Sequence, residues 1–260
     1  MAALERLKVA LIQTSLVWED PQENRNRFSE LISRLDADTD LVVLPEMFTT
    51  GFTMSPGNVH ASEGPKTVIW MQEEASANQL AIAGSTVYSE EGNNYNRLWF
   101  CKPEGSNTFY DKRHTFTLAG EDKVYTAGQK KLIVTYKGFR ICPMICYDLR
   151  FPVWSRNIED YELLLYVANW PAPRVIAWDA LLKARAIENM AYCLGVNRVG
   201  QDPNGHNYVG HSSVYNCLGE QLAFSDKESI LYTVLDKKSL IATRDKLRFL
   251  ADKDSFTLEL

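Results

Sequence analysis

Cys146 ends an apolar run in FRICPMICYDLRFPVWSRN, residues 139–157. Ile141, Met144 and Ile145 read as a short buried strand there, and Pro152 suits the first turn of a following helix. A thiol at such a junction lies near unpaired backbone N–H groups and a positive helix end. Both favour thiolate, so the position suits a nucleophile. Taken alone, the segment serves a small buried apolar residue equally well. Two further segments bear on the choice. In DTDLVVLPEMFTTGF, residues 38–52, the apolar strand Leu41 to Leu44 is followed at once by Pro45 and Glu46. In FYDKRHTF, residues 109–116, Lys112 follows another short apolar and aromatic run. Each segment delivers one reactive group at a strand end, which is how open α/β sheets usually assemble a site. Singly, Glu46 and Lys112 read as solvated charges.

Taken in the order Glu, Lys, Cys, the motifs LPEMF, YDKRH and CYDLRFP resemble the three signature regions of the nitrilase superfamily of carbon–nitrogen hydrolases, and the resemblance extends over nearly the whole chain. The strings YDKRHTF, CYDLRFPVWSRN, YVANWPAPR and ARAIENMAY are more narrowly similar to the superfamily's bacterial omega-amidase branch. The resemblance implies amide hydrolysis with Cys146 as nucleophile, forming a thioester. The proton carrier of such a reaction is usually a histidine, but His60, His114, His206 and His211 follow no motif with Cys146. A carboxylate serves instead when burial raises its pKa, and Glu46 is the candidate. Lys112 and the backbone N–H of Tyr147 then meet the oxyanion. The resemblance gives Glu121, nine residues past Lys112, a supporting role in holding the lysine and substrate; otherwise it reads as an exposed loop acid beside Asp122.

The implied substrates are 2-oxoglutaramate and 2-oxosuccinamate, whose far carboxylate calls for a cation. Arg150, Arg174 and Arg185 stand nearest the motifs. Arg150 has Asp148 as an alternative partner, and Arg185 with Glu188, three apart on one helix, reads as a structural ion pair. Arg174, in the loop ANWPAPR, faces the sheet edge expected to meet substrate. Phe116, Tyr147 and Trp170 suit aromatic walls or core packing alike.

These groups need a scaffold of alternating strands and helices. Strands are expected at Val9–Gln13, Leu41–Leu44, Leu80–Val87, Arg97–Cys101, Leu132–Thr135, Arg140–Ile145, Leu163–Val167, Cys193–Val196, Ser213–Tyr215 and Ile230–Val234. Helices are expected at Gln22–Leu35, Thr67–Asn78, Val153–Ile158, Ile176–Met190 and Leu240–Leu247. Glu91–Asn94 and Pro103–Asn107 carry hairpin-turn residues, so the sheets are α/β and mixed. The resemblance adds a four-layer α–β–β–α sandwich. No linker, repeat or low-complexity tract divides the chain, which reads as a single domain over 1–260. Its tail from Phe249 carries Phe249, Leu250, Phe256 and Leu258, and is expected to dock on a partner subunit or on its own sheet.

With 260 residues, 45% of them hydrophobic, the chain can bury a sizeable core. Its 28 basic residues against 33 acidic ones give a net charge of −5, which argues against nucleic acid or an anionic membrane as partner. No apolar run approaches the roughly 20 residues of a spanning helix, and MAALERLKVALIQT does not read as a signal peptide. Five cysteines at scattered spacings form no disulfide framework and suit the cytoplasm. Cys142 and Cys146 do not converge on a metal along one strand, and His206 and His211 read as flanking a surface turn. GxGxxG and GxxxxGK are absent, so no cofactor is called for. The expected partners are a small amide and further copies of the chain, as a homodimer or higher homo-oligomer. An aliphatic amidase, nitrilase or carbamoylase with the same triad remains open, as does a non-catalytic interaction module that retains the fold.

Overall fold

Period-two alternation sets the layering of the chain. In the computed structural model, residues 5–258 are described. The first half runs β1 (Arg6–Gln13), α1 (Pro21–Ile32), β2 (Leu41–Val43), α2 (Glu63–Asn78), β3 (Ala81–Glu90), β4 (Asn93–Cys101) and β5 (Asn107–Asp111). The second runs β6 (Val134–Tyr136), β7 (Phe139–Ile145), α3 (Pro152–Ser155), β8 (Leu163–Ala168), α4 (Val175–Glu188), β9 (Tyr192–Asn197), β10 (Val199–Gln201), β11 (Asn207–Val209), β12 (Ser212–Tyr215), β13 (Gln221–Ser225), β14 (Ser229–Asp236) and α5 (Lys237–Leu247). One six-stranded sheet has the order β14-β1-β2-β3-β4-β5 and the other β13-β12-β9-β8-β7-β6; β10 and β11 form a separate ribbon. Parallel pairing of β1, β2 and β3, and again of β7, β8 and β9, places a helical crossover between successive strands, while the flanking strands pair antiparallel.

Leu7, Val9 and Leu11 of β1, Leu41 and Val43 of β2, Ala81 and Ala83 of β3, and Leu98 and Phe100 of β4 join Ile141, Leu163 and Leu165 in the core between the sheets. The alternate residues Ala10, Ile12, Val42 and Ile82 face outward onto Phe28 and Ile32 of α1 and Met71 and Ala75 of α2, each pair four apart on one helix face. On the far side, Trp178 and Leu182 of α4 cover the second sheet so closely that a side chain at Gly195 would lie 2.6 Å from the Trp178 ring. Helix, sheet, sheet, helix is the resulting order, an α–β–β–α sandwich with mixed sheets.

The expected helix over Val153–Ile158 stops at Ser155. Arg156 turns extended, and Asn157 bonds the Tyr161 backbone at 2.9 and 3.0 Å and Asn189 O at 3.0 Å, capturing the chain for a different path. The expected strand Leu132–Thr135 is displaced to Val134–Tyr136. The tail seats Leu250 against the core, and beyond it Phe256 and Leu258 line a groove with Pro152 and Val153 of α3. Residues 1–4 and 259–260 of the expected single domain lie outside the described residues.

Candidate active site

Three strand ends converge on one point. After β2, Leu44 N–H still bonds Ala83 O at 2.8 Å, and Pro45 then ends the ladder. Met47 takes a left-handed conformation (φ 41°) and donates its N–H to Ser85 Oγ at 2.8 Å, which leaves the intervening Glu46 fully buried. Lys112 follows β5: its N–H donates to Asn96 O at 3.0 Å and its carbonyl accepts from Gly128 at 2.8 Å. Only glycine fits at 128, because a Cβ there would sit 2.1 Å from the Asp111 carbonyl oxygen. Asp111 forks with Arg97 at 2.6 and 3.0 Å, so it does not pair with the neighbouring lysine. Cys146 leaves β7 at φ 43°, a strained conformation outside glycine, and opens a short 3-10 turn through Arg150.

Lys112 Nζ lies 2.8 Å from Glu46 Oε1 and 2.9 Å from Glu121 Oε2, with all three side chains closed to solvent. Glu46 Oε2 also accepts the Asn169 N–H at 2.8 Å, and Glu121 Oε2 accepts the Phe116 N–H at 2.6 Å. Burial works against the Lys112 charge, but Glu121 and Glu46 outweigh it and hold the ammonium above the ordinary lysine range. Burial raises the Glu121 carboxyl, opposed by Lys112 and reinforced by Glu46. The thiol corrects an expectation. Burial first, then the Glu46 carboxylate, push Cys146 well above the usual thiol range, against the pull of Lys112. The folded site therefore favours the thiol over the thiolate, because burial and the Glu46 carboxylate outweigh Lys112.

Cys146, Lys112 and Asn169 share the lining of a cavity of about 420 Å³ with Phe116, Tyr147 and Trp170. Arg150 and Arg174 line it too, stacked over the Trp170 and Phe116 rings at 4.9 and 5.2 Å. Among the described residues neither guanidinium meets a carboxylate: Asp148 is taken by Tyr110 and His114. Arg185 points elsewhere, pairing with Glu188 at 2.9 Å and donating to Leu149 O at 2.7 Å behind the nucleophile turn. His206, expected on a surface turn, is exposed yet reaches the cavity wall, because the β10–β11 ribbon overhangs it.

Sequence reasoning missed Asn96, whose side chain bonds Glu46 and Glu121, Asn169, whose N–H bonds Glu46, and Phe52 and Tyr208, which line the cavity. Asn96 carried a signal: it shares strand parity with the buried Leu98 and Phe100. Asn169 belongs to the motif ANWPAPR. Phe52 and Tyr208 come from loops and a ribbon whose approach no local pattern announces.

The carbon-nitrogen hydrolase family model matches residues 8–245. The chain is 45% identical to the omega-amidase YafV of Escherichia coli (strain K12), over 97% of this chain and 98% of that protein. It is 29% identical to the 2-oxoglutaramate amidase of Bacillus subtilis (strain 168), over 92% and 94% of the respective chains. The crystal structure of XC1258 from Xanthomonas campestris, a CN-hydrolase superfamily protein with an arsenic adduct in its active site, superposes with a TM-score of 0.94. It is 40% identical over 98% of this chain and 99% of that one.

Proposed function

This chain belongs to the carbon-nitrogen hydrolase family, and from that premise we propose that it is an omega-amidase, releasing ammonia from the terminal amide of 2-oxoglutaramate or 2-oxosuccinamate. One observation carries the reading. A thiol, two buried carboxylates and an ammonium meet at a cavity whose walls hold two guanidinium groups with no acidic partner among the described residues. An amide with a carboxylate at its far end matches both features.

In the first half-reaction Glu46 takes the Cys146 proton as sulfur attacks the amide carbon. The carbonyl oxygen becomes an oxyanion beside Lys112 Nζ and the Tyr147 N–H, and such donors contribute on the order of 10²–10³ in rate each. Collapse breaks the carbon–nitrogen bond, Glu46 gives its proton to the departing nitrogen, and ammonia leaves a thioester. Water then yields a proton to Glu46 while its oxygen attacks the thioester. The second collapse breaks the carbon–sulfur bond, and the proton returns to sulfur, freeing the 2-oxo acid. A thiol that rests protonated supports a carboxylate as its partner. Glu121 holds Lys112 in place, and Arg150 or Arg174 holds the far carboxylate against the Trp170 and Phe116 faces.

Ammonia release from 2-oxoglutaramate, a simple aliphatic amide, a nitrile and an N-carbamoyl amino acid tests the reading. The first should be the best substrate, and silence on it alone removes the omega-amidase proposal. Cys146→Ala should fold and lose turnover; retained turnover would falsify the nucleophile assignment.

We further propose a cytoplasmic homo-oligomer. Five free cysteines suit a reducing compartment. Ile176 and Ile187, 82% and 45% exposed, lie three turns apart on one face of α4, and Val153, Phe256 and Leu258 are exposed as well. A charged residue in place of Ile176 should shift the sedimentation coefficient toward the monomer; an unchanged value removes this face from the interface.

A further inference from the structure

Asn96 lies on the inner face of β4, in the row where Leu98 and Phe100 supply apolar packing. A buried amide in such a row is costly unless its groups find partners. Its Nδ2 carries two hydrogens, and they reach two different acids: Glu46 Oε1 at 2.8 Å and Glu121 Oε1 at 3.1 Å. Both acceptors are carboxylate oxygens, so the amide can stand in only one orientation. The same two oxygens receive Lys112 Nζ, at 2.8 and 3.1 Å. Ammonium, oxygen, amide and oxygen thus close a ring. The Asn96 backbone joins it from behind, its carbonyl accepting the Lys112 N–H at 3.0 Å. The Asn96 Oδ1 has no hydrogen-bond partner among the described residues. Only the donor side of the amide is engaged.

We propose that Asn96 is a positioning residue of the reaction, which fixes the two glutamates on one ammonium so that Glu46 stays aimed at the thiol and Glu121 stays on the lysine. This rests on reading Glu46 as the proton carrier. Two carboxylates against one ammonium leave the buried cluster with one net negative charge. The other titratable groups facing it, the Cys146 thiol and the Tyr125 and Tyr208 hydroxyls, are neutral; Tyr125 donates to Thr53 O and Tyr208 to Asp202 Oδ2, each at 2.9 Å. Two acids so close favour a proton on one of them. A proton on Glu46 blocks acceptance from sulfur. A donor with one hydrogen for each acid, held by the strand, bonds the carboxylate form of both and keeps them from trading places on the lysine.

The test measures kcat and KM for ammonia release from 2-oxoglutaramate across the neutral pH range in Asn96→Ala, Asn96→Ser and Glu46→Gln, with thermal unfolding of each. Asn96→Ala should lose about 10²-fold in kcat, the scale of a misplaced catalytic group, with KM near the wild-type value. Loss of a donor favours the protonated carboxylate, so the acid limb of kcat/KM should move to higher pH. Asn96→Ser keeps one hydrogen and should fall between the two. If Asn96→Ala does not fold, Asn96→Ser decides by the same profile, and failure of both to fold overturns the proposal in favour of a purely structural role. An unmoved acid limb, or a loss carried wholly in KM, also overturns it. Full turnover by Glu46→Gln sinks the reading beneath; an inactive Glu46→Gln beside an unaltered Asn96→Ala sinks this proposal alone.

Discussion

The Asp148 carboxylate, two residues past the thiol, accepts the imidazole N–H of His114, two residues past the lysine, at 2.8 Å. The same carboxylate accepts the His114 backbone N–H at 3.0 Å, the Tyr110 hydroxyl at 2.7 Å and the Ile145 N–H at 3.0 Å. It thereby ties the end of β5 in one sheet to the end of β7 in the other, and the His114 ring stacks on Phe151 at 3.6 Å to seal the joint. One buried side chain thus bridges the segments that carry Lys112 and Cys146.

Asp148→Ala should therefore cost more than its lost contacts. It strands several buried donors, each worth about 1–3 kcal/mol when left unpaired. The unfolding midpoint in urea should fall accordingly, with a fall in kcat measured well below that midpoint. Asp148→Asn keeps an acceptor oxygen and should recover part of both. Stability and kcat unchanged in Asp148→Ala would mean that the sheets align without this tie.

Lys112→Met removes the ammonium between two acids that are closed to solvent. Breaking a buried pair in this way costs about 3–5 kcal/mol, and losing an oxyanion donor costs on the order of 10²–10³ in kcat. The pH dependence has a definite sign. Burial raises Glu121 even beside the lysine, and a carboxyl raised on folding contributes stability at low pH that is lost as pH rises. The thermal midpoint of Lys112→Met should therefore recover on acidification relative to wild type. A constant gap between the two curves contradicts this picture of the cluster.

The strands that deliver Glu46 and Cys146 were legible because each is a run of apolar residues broken by a polar turn, and such runs have few alternative fates. Strands β10, β11 and β13 were not. They are three to five residues long, and most of their side chains are exposed, with Tyr208 the one buried residue. They pair as local hairpins, β10 with β11 and β13 with β12, but without a buried face they leave no alternating apolar pattern to mark them. The state of the thiol escapes the sequence for a different reason. The sequence displays a strand-to-turn junction, but not the two acids that folding brings beside it from 100 and 25 residues away. Asn96 was legible in principle, as a polar residue at an inward strand position, but only once the inward face was known.

Buried thiols and phenols make the fold sensitive to alkali. Burial pushes Cys101 up to about 12 from 9.0 and Tyr136 up to about 12 from 10.0. Above pH 9 the unfolded chain loses protons that the folded chain keeps. Stability contributed by Cys101 is present below that pH and declines as pH rises toward 12, at about 1.4 kcal/mol per pH unit. Chemical unfolding across this window should show the decline, and Cys101→Ala should flatten it. An equal slope in the variant removes Cys101 from the account.

The two stacked guanidinium groups set the last expectation. Arg150 and Arg174 reach the cavity from different directions, one from the nucleophile turn and one from the loop after β8, and each lies on an aromatic face that excludes water from one side. A carboxylate bonded to such a group gains about 1.5–3 kcal/mol, or roughly 10- to 100-fold in affinity. The group that binds should raise KM for 2-oxoglutaramate by that factor when changed to Met, while hydrolysis of an uncharged aliphatic amide of similar length changes little. Lysine at the same place should rescue only in part, because a point charge cannot lie flat on the ring and fork to two oxygens. Equal losses on charged and uncharged amides in both variants would show that the arginines shape the cavity without reading the carboxylate.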